Sequence, residues 1–212
     1  MLSAFPDAYD AQGSFLTRPC SVRNRGFLLP AVLIAAMLHT DTHMPPPGLP
    51  DIIGPNLDVL FCGLNPGLTS AAIGHSFANP SNRFWRVMHL AGFTPVQLRP
   101  EEDRTLLDYH CGLTTAAPRP TVSAGELSRS EFTAGAVALK AKVETCAPRY
   151  VAFLGKPAYA AISGRRQISW GRQDERFGGA QVWILPNPSG LNRAFQLDAL
   201  ITAYRELHDA IS

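Results

Sequence analysis

The chain has 212 residues, of which 46% are hydrophobic and 17% charged, and its formal net charge at pH 7 is +2. This length and composition are typical of one globular domain with a single core and room for an additional segment. The net charge is too small for nucleic-acid binding to rest on overall positive charge alone. Any such binding must depend on where individual arginines lie.

The first 50 residues are predicted to be an N-terminal extension outside the domain. Residues 1–43 show no clear periodicity, and the proline-rich residues 44–48 are typical of a stiff linker. The apolar residues 27–38 follow three arginines as in a signal peptide, but Pro30 interrupts them and no convincing cleavage site is present. We favour a peripheral or artefactual extension, with a secretion signal or an amphipathic or buried helix as the alternatives. No stretch has the length of a transmembrane helix, so we expect no membrane partner.

From residue 51 onward, short apolar runs alternate with longer segments of helical periodicity, which predicts a parallel α/β sheet. The predicted strands cover residues 59–62, 111–115, 150–154 and 182–185. The predicted helices cover residues 82–91, 95–109, a segment beginning near Ser130, 156–162 and 195–211. The predicted fold class is therefore α/β, a three-layer α/β/α sandwich around a mostly parallel four-stranded sheet in a domain spanning residues 51–212.

The four cysteines, Cys20, Cys62, Cys111 and Cys146, form no C-x-x-C pair, and the histidines do not pair at the spacing of metal ligands. This pattern predicts free thiols, with Cys62 and Cys111 buried, in a reducing compartment such as the bacterial cytoplasm. We expect no metal and no cofactor. A four-cysteine zinc or iron–sulfur site is the less supported alternative.

The chain around Asn65 changes abruptly from an apolar run to a tight turn, residues 63–67 (GLNPG). The glycines allow a ligand to approach the backbone closely, and Pro66 restricts φ beside Asn65. Because ligands bind at the carboxyl ends of strands in open α/β sheets, this turn would present one amide side chain to a ligand. An ordinary strand-to-loop turn is the alternative. A second turn of similar design, residues 185–191 (LPNPSGL), favours the ligand site.

Three ordered motifs, residues 63–67 (GLNPG), 77–85 (FANPSNRFW) and 187–191 (NPSGL), resemble those of a known enzyme family. On these motifs the chain resembles the mismatch-specific uracil/thymine-DNA glycosylases, family 2 of the uracil-DNA glycosylase superfamily. The resemblance extends from about residue 51 to the C-terminus. It implies a monomeric, monofunctional hydrolase that flips uracil, and related mismatched or damaged pyrimidines, out of double-stranded DNA and removes them to initiate base-excision repair.

Asn65 is the candidate catalytic residue. Its amide does not accept a proton at neutral pH, but it can accept a hydrogen bond from water and orient that water toward the sugar. Uracil leaves as a delocalised anion, so an oriented water is expected to suffice, and the rate should follow the quality of the leaving base. Backbone N–H groups near residues 64–67 could stabilise charge that develops on the departing base.

The resemblance also implies a base pocket and a wedge. The candidate pocket residues are Leu64, Gly67, Ser70, Phe77 and Asn187, and the candidate wedge residues are Gly190, Leu191 and Arg193. Phe77 would stack on the flipped base, with a core aromatic as the alternative, whereas Phe84 and Trp85 are predicted to be core. Leu191 would fill the space that the flipped nucleotide leaves, and Arg193 would meet the partner guanine or a phosphate. A buried loop anchor is the alternative for Leu191.

Several further residues allow two interpretations. Asp108 is a candidate second catalytic group, and a surface or helix-end carboxylate is the favoured alternative. Thr115 stands where some bacterial relatives have lysine and Asn192 where they have serine, which bears on base preference rather than on reaction type. Two interpretations also remain for four basic residues, which could contact DNA phosphates or form a solvated charged face. These are Lys156, Arg165, Arg166 and Arg172.

Two rival functions fit the same fold class. A non-catalytic reader of mismatched or damaged DNA would keep the wedge, but it would have no need of Asn65. An enzyme acting on free nucleosides or nucleotides would have no need of Leu191 and Arg193, because a small substrate offers no base stack to enter. The sequence therefore favours the glycosylase.

Overall fold

A single sheet organises the part of the chain that the computed structural model describes, residues 48–212. Within it, five strands lie in the order β2-β1-β3-β5-β4. The strands are β1 (Val59–Gly63), β2 (Cys111–Thr115), β3 (Tyr150–Leu154), β4 (Gly171–Phe177) and β5 (Ala180–Leu185). The first three and β5 pair in parallel, and only β4 is antiparallel. The predicted α/β class and the mostly parallel sheet are confirmed. The predictions for the apolar run at 27–38 and for Cys20 concern residues outside the described part of the chain.

Helices cover both faces of this sheet. They are α1 (Leu68–Ile73), α2 (Phe84–Leu90), α3 (Arg129–Cys146), α4 (Lys156–Ser163) and α5 (Leu197–Ile211), with 3-10 helices at Pro100–Tyr109 and Ala124–Glu126. No helix in residues 48–212 is long and apolar enough to cross a membrane.

Two separate apolar cores lie on the two faces of the sheet because successive strand residues point in opposite directions. Val59 and Phe61 of β1 belong to the core formed with α2 and α5. Leu60 and Cys62 belong to the core formed with α3 and α4. All residues of β1 are buried, as expected for a central parallel strand covered on both sides. The predicted three-layer α/β/α sandwich is thus confirmed.

The prediction of four strands is wrong, because β4 is a fifth strand at the edge of the sheet. Its sequence, GRQDERF, contains no apolar run, and its residues alternate between buried or partly buried positions and exposed ones. A strand at an exposed edge does not need the continuous apolar residues of a central strand. The available signal was Gly178-Gly179 before β5, where both residues have positive φ as a two-residue hairpin turn requires.

Apart from shifts of one or two residues at the ends of elements, two other elements differ from prediction. The predicted helix over 95–109 is a 3-10 helix that begins at Pro100, where proline at the first helical position has no N–H to leave unpaired. Residues 68–73, which we did not predict to be helical, form α1 directly after the Asn65 turn.

Two predicted buried thiols are confirmed, since Cys62 and Cys111 are both buried and free. Burial raises the pKa of Cys111 to about 12.

Candidate active site

A cleft of about 600 Å³ opens at the carboxyl edge of the sheet, where β1 and β5 end. The predicted residues that line this cleft are Leu64, Asn65, Gly67, Ser70, Phe77, Asn187, Gly190 and Leu191. Residues separated by more than a hundred positions in sequence meet here because parallel strands end at the same edge. The fold therefore brings both predicted turns and the segment around Phe77 to one site.

The Asn65 side chain is fixed by three acceptors. Its Nδ2 lies 2.7 Å from Thr121 Oγ1, 3.1 Å from the Arg119 carbonyl oxygen and 3.2 Å from that of Pro66. Two of these partners are carbonyl oxygens, which only accept, so the NH₂ group must point toward them. Oδ1 has no hydrogen-bond donor among the described residues, and it is free to accept a hydrogen bond from a water in the cleft.

The segment after β2 provides this support because it pairs with the Asn65 turn along its length. The Ala116 N–H donates to the Gly63 carbonyl at 2.8 Å, and the Ala117 N–H donates to that of Leu64 at 2.9 Å. The Thr121 N–H donates to the Pro66 carbonyl at 3.2 Å. Thr121 itself is only 4% exposed. The turn is thus an extension of the sheet rather than a free loop.

An ion pair anchors the same segment to α3. The Arg119 guanidinium donates to both carboxylate oxygens of Glu131, at 2.5 and 3.1 Å, and to the Glu126 carbonyl at 2.7 Å. Glu131 also accepts from the Ser128 N–H, completing a capping box at the start of α3. The Arg119 contact, followed by those of Ser128, lowers the pKa of Glu131 to about 2.

Phe77 lines the cleft with a strained backbone, since its φ is +55°. A bulky residue in the left-handed region costs about 1–2 kcal/mol, which surrounding contacts must offset. One such contact is stacking on Phe84, with the ring centroids 4.1 Å apart and the planes inclined by 22°. Phe84 and Trp85 are buried, which confirms both as core residues. Phe77 is half-buried and takes part in both the core and the cleft wall.

Ser70 and Gly67 also line the cleft. The Ser70 Oγ accepts the Ala78 N–H at 3.1 Å, so it ties α1 to the residue after Phe77 and retains a hydroxyl proton to donate. A Cβ added at Gly67 would meet no atom within 4 Å. Neither packing nor a positive φ requires glycine there, because the missing side chain would occupy open cleft space. No side chain caps the N-terminus of α1.

Leu191 is 87% exposed on the loop after β5, so the predicted buried-anchor alternative is wrong. The neighbouring Gly190 packs tightly, since an added Cβ would lie 2.6 Å from the Ser81 carbonyl oxygen and 2.7 Å from Ser81 Oγ. Asn187 begins the loop, where its Oδ1 accepts the Ser189 N–H at 2.9 Å. The loop therefore rests against the 79–82 turn and presents an apolar side chain to solvent.

Arg83 holds this loop, and the sequence reasoning missed it. Its guanidinium donates to four main-chain carbonyl oxygens of the loop. These are Pro188 at 3.2 Å, Ser189 at 2.7 Å, Asn192 at 3.1 Å and Phe195 at 2.7 Å. Its sequence signals were its place within the motif at residues 77–85 and its position immediately before the predicted core residues Phe84 and Trp85.

Two predicted residues do not line the cleft. Arg193 is exposed, two residues beyond Leu191 on the same loop. Asp108 is exposed at the end of a 3-10 helix, three residues before β2 begins. It therefore lies at the amino edge of the sheet, and a five-residue strand of roughly 17 Å separates that edge from Asn65. This position does not support a direct catalytic role for Asp108.

The candidate phosphate contacts differ in their surroundings. Arg165 pairs with Glu175, and Arg172 lies 3.4 Å from the Gln181 side chain. Lys156 Nζ lies 4.5 Å from the ring centroid of Trp170, beside a separate open groove that Arg166 also lines. Within residues 48–212, no group of three or more His, Cys, Asp or Glu side chains is placed to hold a metal ion.

Comparison with known proteins adds two findings. A family model described as Uracil DNA glycosylase superfamily matches residues 50–208, which is most of the chain. The solution NMR structure of a candidate uracil DNA glycosylase from Methanosarcina acetivorans matches with a TM-score of 0.53 and 22% sequence identity. That match covers 77% of this chain and 98% of the other. At this identity the second likeness shows a shared fold.

Proposed function

This chain belongs to the uracil DNA glycosylase superfamily, and we propose that it is a monofunctional, mismatch-specific member of that superfamily's family 2. Superfamily membership implies hydrolysis of N-glycosidic bonds in DNA. The proposed reaction is the removal of uracil, and of related mismatched or damaged pyrimidines, from double-stranded DNA. The product would be an abasic site that enters base-excision repair.

The observation that best supports this proposal is the fixed orientation of the Asn65 amide. Three acceptors hold Nδ2, so Oδ1 is the atom left to bind water. A water held there is directed rather than deprotonated, because an amide is not a base at neutral pH. Positioning of this kind contributes by reducing the entropy that the reaction must lose. The departing base leaves as an anion, so the bond can break before the water attacks.

Other residues account for the remaining needs of such an enzyme. Phe77 offers a ring to stack on the flipped base, and Leu191 offers an exposed apolar side chain to enter the duplex. No lysine lies among the described residues that line the cleft, so a Schiff-base lyase step has no nucleophile there. The domain is proposed to comprise residues 51–212 and to act as a monomer.

Single-turnover cleavage of a duplex containing one G·U mismatch tests the proposal directly. Abasic sites are revealed by alkali, and binding is followed in parallel. The wild type is expected to cut at the uracil, and Asn65→Ala is expected to bind the duplex while losing about 10³-fold in rate.

A matched variant separates the role of Asn65 from a general effect of removing an asparagine. Asn56 is exposed before β1, at the other edge of the sheet, and its φ of +56° suits glycine. Asn56→Gly should therefore cut at the wild-type rate. A wild type that binds the mismatch without cutting any base would instead establish a non-catalytic reader.

A further inference from the structure

A side chain that enters a base stack must be presented by a stiff loop. Leu191 is 87% exposed, so no apolar packing of its own side chain determines where it lies. Unstacking a base step costs free energy, and a mobile loop would also lose conformational entropy on insertion. The position of Leu191 must therefore depend on contacts of the surrounding main chain.

Arg83 makes those contacts on both sides of Leu191. Its Nη2 donates to the Ser189 carbonyl at 2.7 Å and to the Asn192 carbonyl at 3.1 Å, and these two residues flank Gly190 and Leu191. Its Nε and Nη1 extend the contact to Pro188 and Phe195. One planar guanidinium thus fixes the loop from residue 188 to residue 195.

The chemistry of arginine suits this task better than that of lysine. A guanidinium presents five N–H donors in one rigid plane, whereas an ammonium is a point charge on a flexible stem. None of the ion pairs between described residues involves Arg83. The negative ends of the loop carbonyl dipoles therefore compensate its charge, so displacing the loop would leave a half-buried cation without acceptors.

Arg83 also connects the loop to the base pocket. It directly precedes Phe84, whose ring stacks on Phe77 at 4.1 Å. The main-chain N–H of Arg83 donates to the Pro188 carbonyl at 3.0 Å. A shift of the chain at residues 83–84 would consequently move both the wedge loop and the support of the stacking ring.

We propose that Arg83 is the positioning residue for the wedge loop, defined as residues 187–195, and that it couples entry of Leu191 into the duplex to capture of the base by Phe77. This inference rests on the proposed function of the cleft. Arg83 is not among the residues that line the cleft, so we expect it to act on the step that flips the base. Its loss should matter for a base that must be unstacked and should matter little for one that is already free.

Two uracil substrates separate these steps. In the first, uracil is paired in a G·U duplex, and in the second it lies unpaired in a one-nucleotide bulge. Arg83→Lys is expected to reduce single-turnover cleavage of the paired uracil about 10-fold and cleavage of the bulged uracil by less than about 2-fold. Equal losses on both substrates would show a general structural defect and would overturn the inference.

A double-mutant comparison tests whether Arg83 acts through Leu191. If it does, Arg83→Lys combined with Leu191→Ala should be no slower on paired uracil than Leu191→Ala alone. Losses that multiply would contradict the coupling. Arg205→Lys is the matched control, since Arg205 also donates to a main-chain carbonyl, that of Leu90 at 2.7 Å, but it lies away from the cleft. It should cut both substrates at the wild-type rate.

Two further measurements keep the test decisive. If thermal denaturation shows that Arg83→Lys does not fold, Arg83→Gln replaces it, because its planar amide retains two N–H donors. If the wild type cuts neither substrate, the proposed function fails, and the wedge is followed instead by fluorescence of 2-aminopurine placed beside the mismatch. An equal rise in fluorescence for the wild type and the Arg83 variant would then overturn the positioning role.

Discussion

In the turn after β1, hydrogen bonds fix a side chain, that of Asn65. In the loop after β5, they fix the main chain on either side of Leu191. Asn65 is half-buried, and three hydrogen bonds fix the orientation of its amide. Leu191 has no comparable contact, and Arg83 fixes only the carbonyl groups on either side of it. Asn65 and Leu191 both lie at the carboxyl edge of the same sheet. The fold class therefore does not explain why one side chain is fixed and the other is free.

This difference matches what each residue must do in the proposed reaction. A group that directs a water molecule needs an orientation that does not change, because small misplacements reduce the rate strongly. A group that enters a base stack needs a free side chain on a firm support. The comparison predicts that damage to the support of Asn65 affects chemistry on every substrate, and damage to the loop affects only paired bases.

After Asn65→Ala itself, the largest expected effect tests the support of the turn. Thr121→Val keeps the shape of a buried side chain but removes the Oγ1 that lies 2.7 Å from Asn65 Nδ2. The amide can then rotate, and single-turnover cleavage should fall by up to about 100-fold on paired and unpaired uracil alike. Thr121→Ser, which keeps the hydroxyl, should restore most of the rate. Equal activity of the Val and Ser variants would show that the two carbonyl acceptors suffice.

A smaller and substrate-dependent effect is expected at the loop. Leu191→Ala removes the apolar side chain but leaves the Arg83 contacts in place, so the loop keeps its position. Cleavage of uracil in a G·U duplex should fall about 10-fold, with little change for a bulged uracil. Val122→Ala is a suitable control, since Val122 is also exposed on the rim of the cleft, at 75%. A similar loss for both substitutions would remove the special role of the loop.

A pH-dependent effect on stability is expected where α3 anchors the turn. The pKa of Glu131 is lowered to about 2 in the folded chain. A carboxyl whose pKa is lowered by folding stabilises the fold above its ordinary pKa, and this contribution disappears as pH falls toward 2. Glu131→Gln should therefore be less stable than the wild type at pH 7, and the difference should shrink between about pH 4.5 and 2.

Urea denaturation at a series of pH values measures this difference. Glu144→Gln is the control on the same helix, since its contact with Lys140 is exposed and 3.7 Å long. Glu144→Gln should change the urea concentration at the midpoint of unfolding little at any pH. A Glu131→Gln difference that stays constant down to pH 2 would show that the ion pair is not its cause. At pH 7 the same variant should slow cleavage by about 2-fold, because Glu131 supports Asn65 only indirectly, through Arg119.

The smallest effect is expected at Asp108. Its carboxylate is exposed at the amino edge of the sheet, away from both the turn and the loop. Asp108→Ala should cleave paired and bulged uracil at rates within about 2-fold of the wild type. A large loss in single-turnover rate with unchanged binding would show that the carboxylate reaches the reaction after all.

Local patterns in the sequence predicted much of the fold and of the site. Apolar runs identified β1, β3 and β5, because central parallel strands must be apolar on both faces. They also identified β2, an edge strand whose residues are nevertheless mostly buried. They missed β4, whose polar residues suit an edge. The turn chemistry around Asn65 and Asn187 placed both residues at strand ends, and the cleft contains both. Asp108 was a weaker candidate for the same reason, since it precedes the predicted strand over 111–115 and so lies at the amino edge of the sheet, away from the cleft.

The sequence by itself determined which residues follow the strands, and therefore which side chains meet at the carboxyl edge. Only the tertiary structure decided how those residues are held. Thr121 lies 56 positions from Asn65, and the carbonyls that Arg83 contacts lie 105 to 112 positions away. Every residue has a carbonyl group, so no residue type marks such an acceptor in a sequence. Its position becomes known only when the packed sheet brings distant segments within hydrogen-bonding distance.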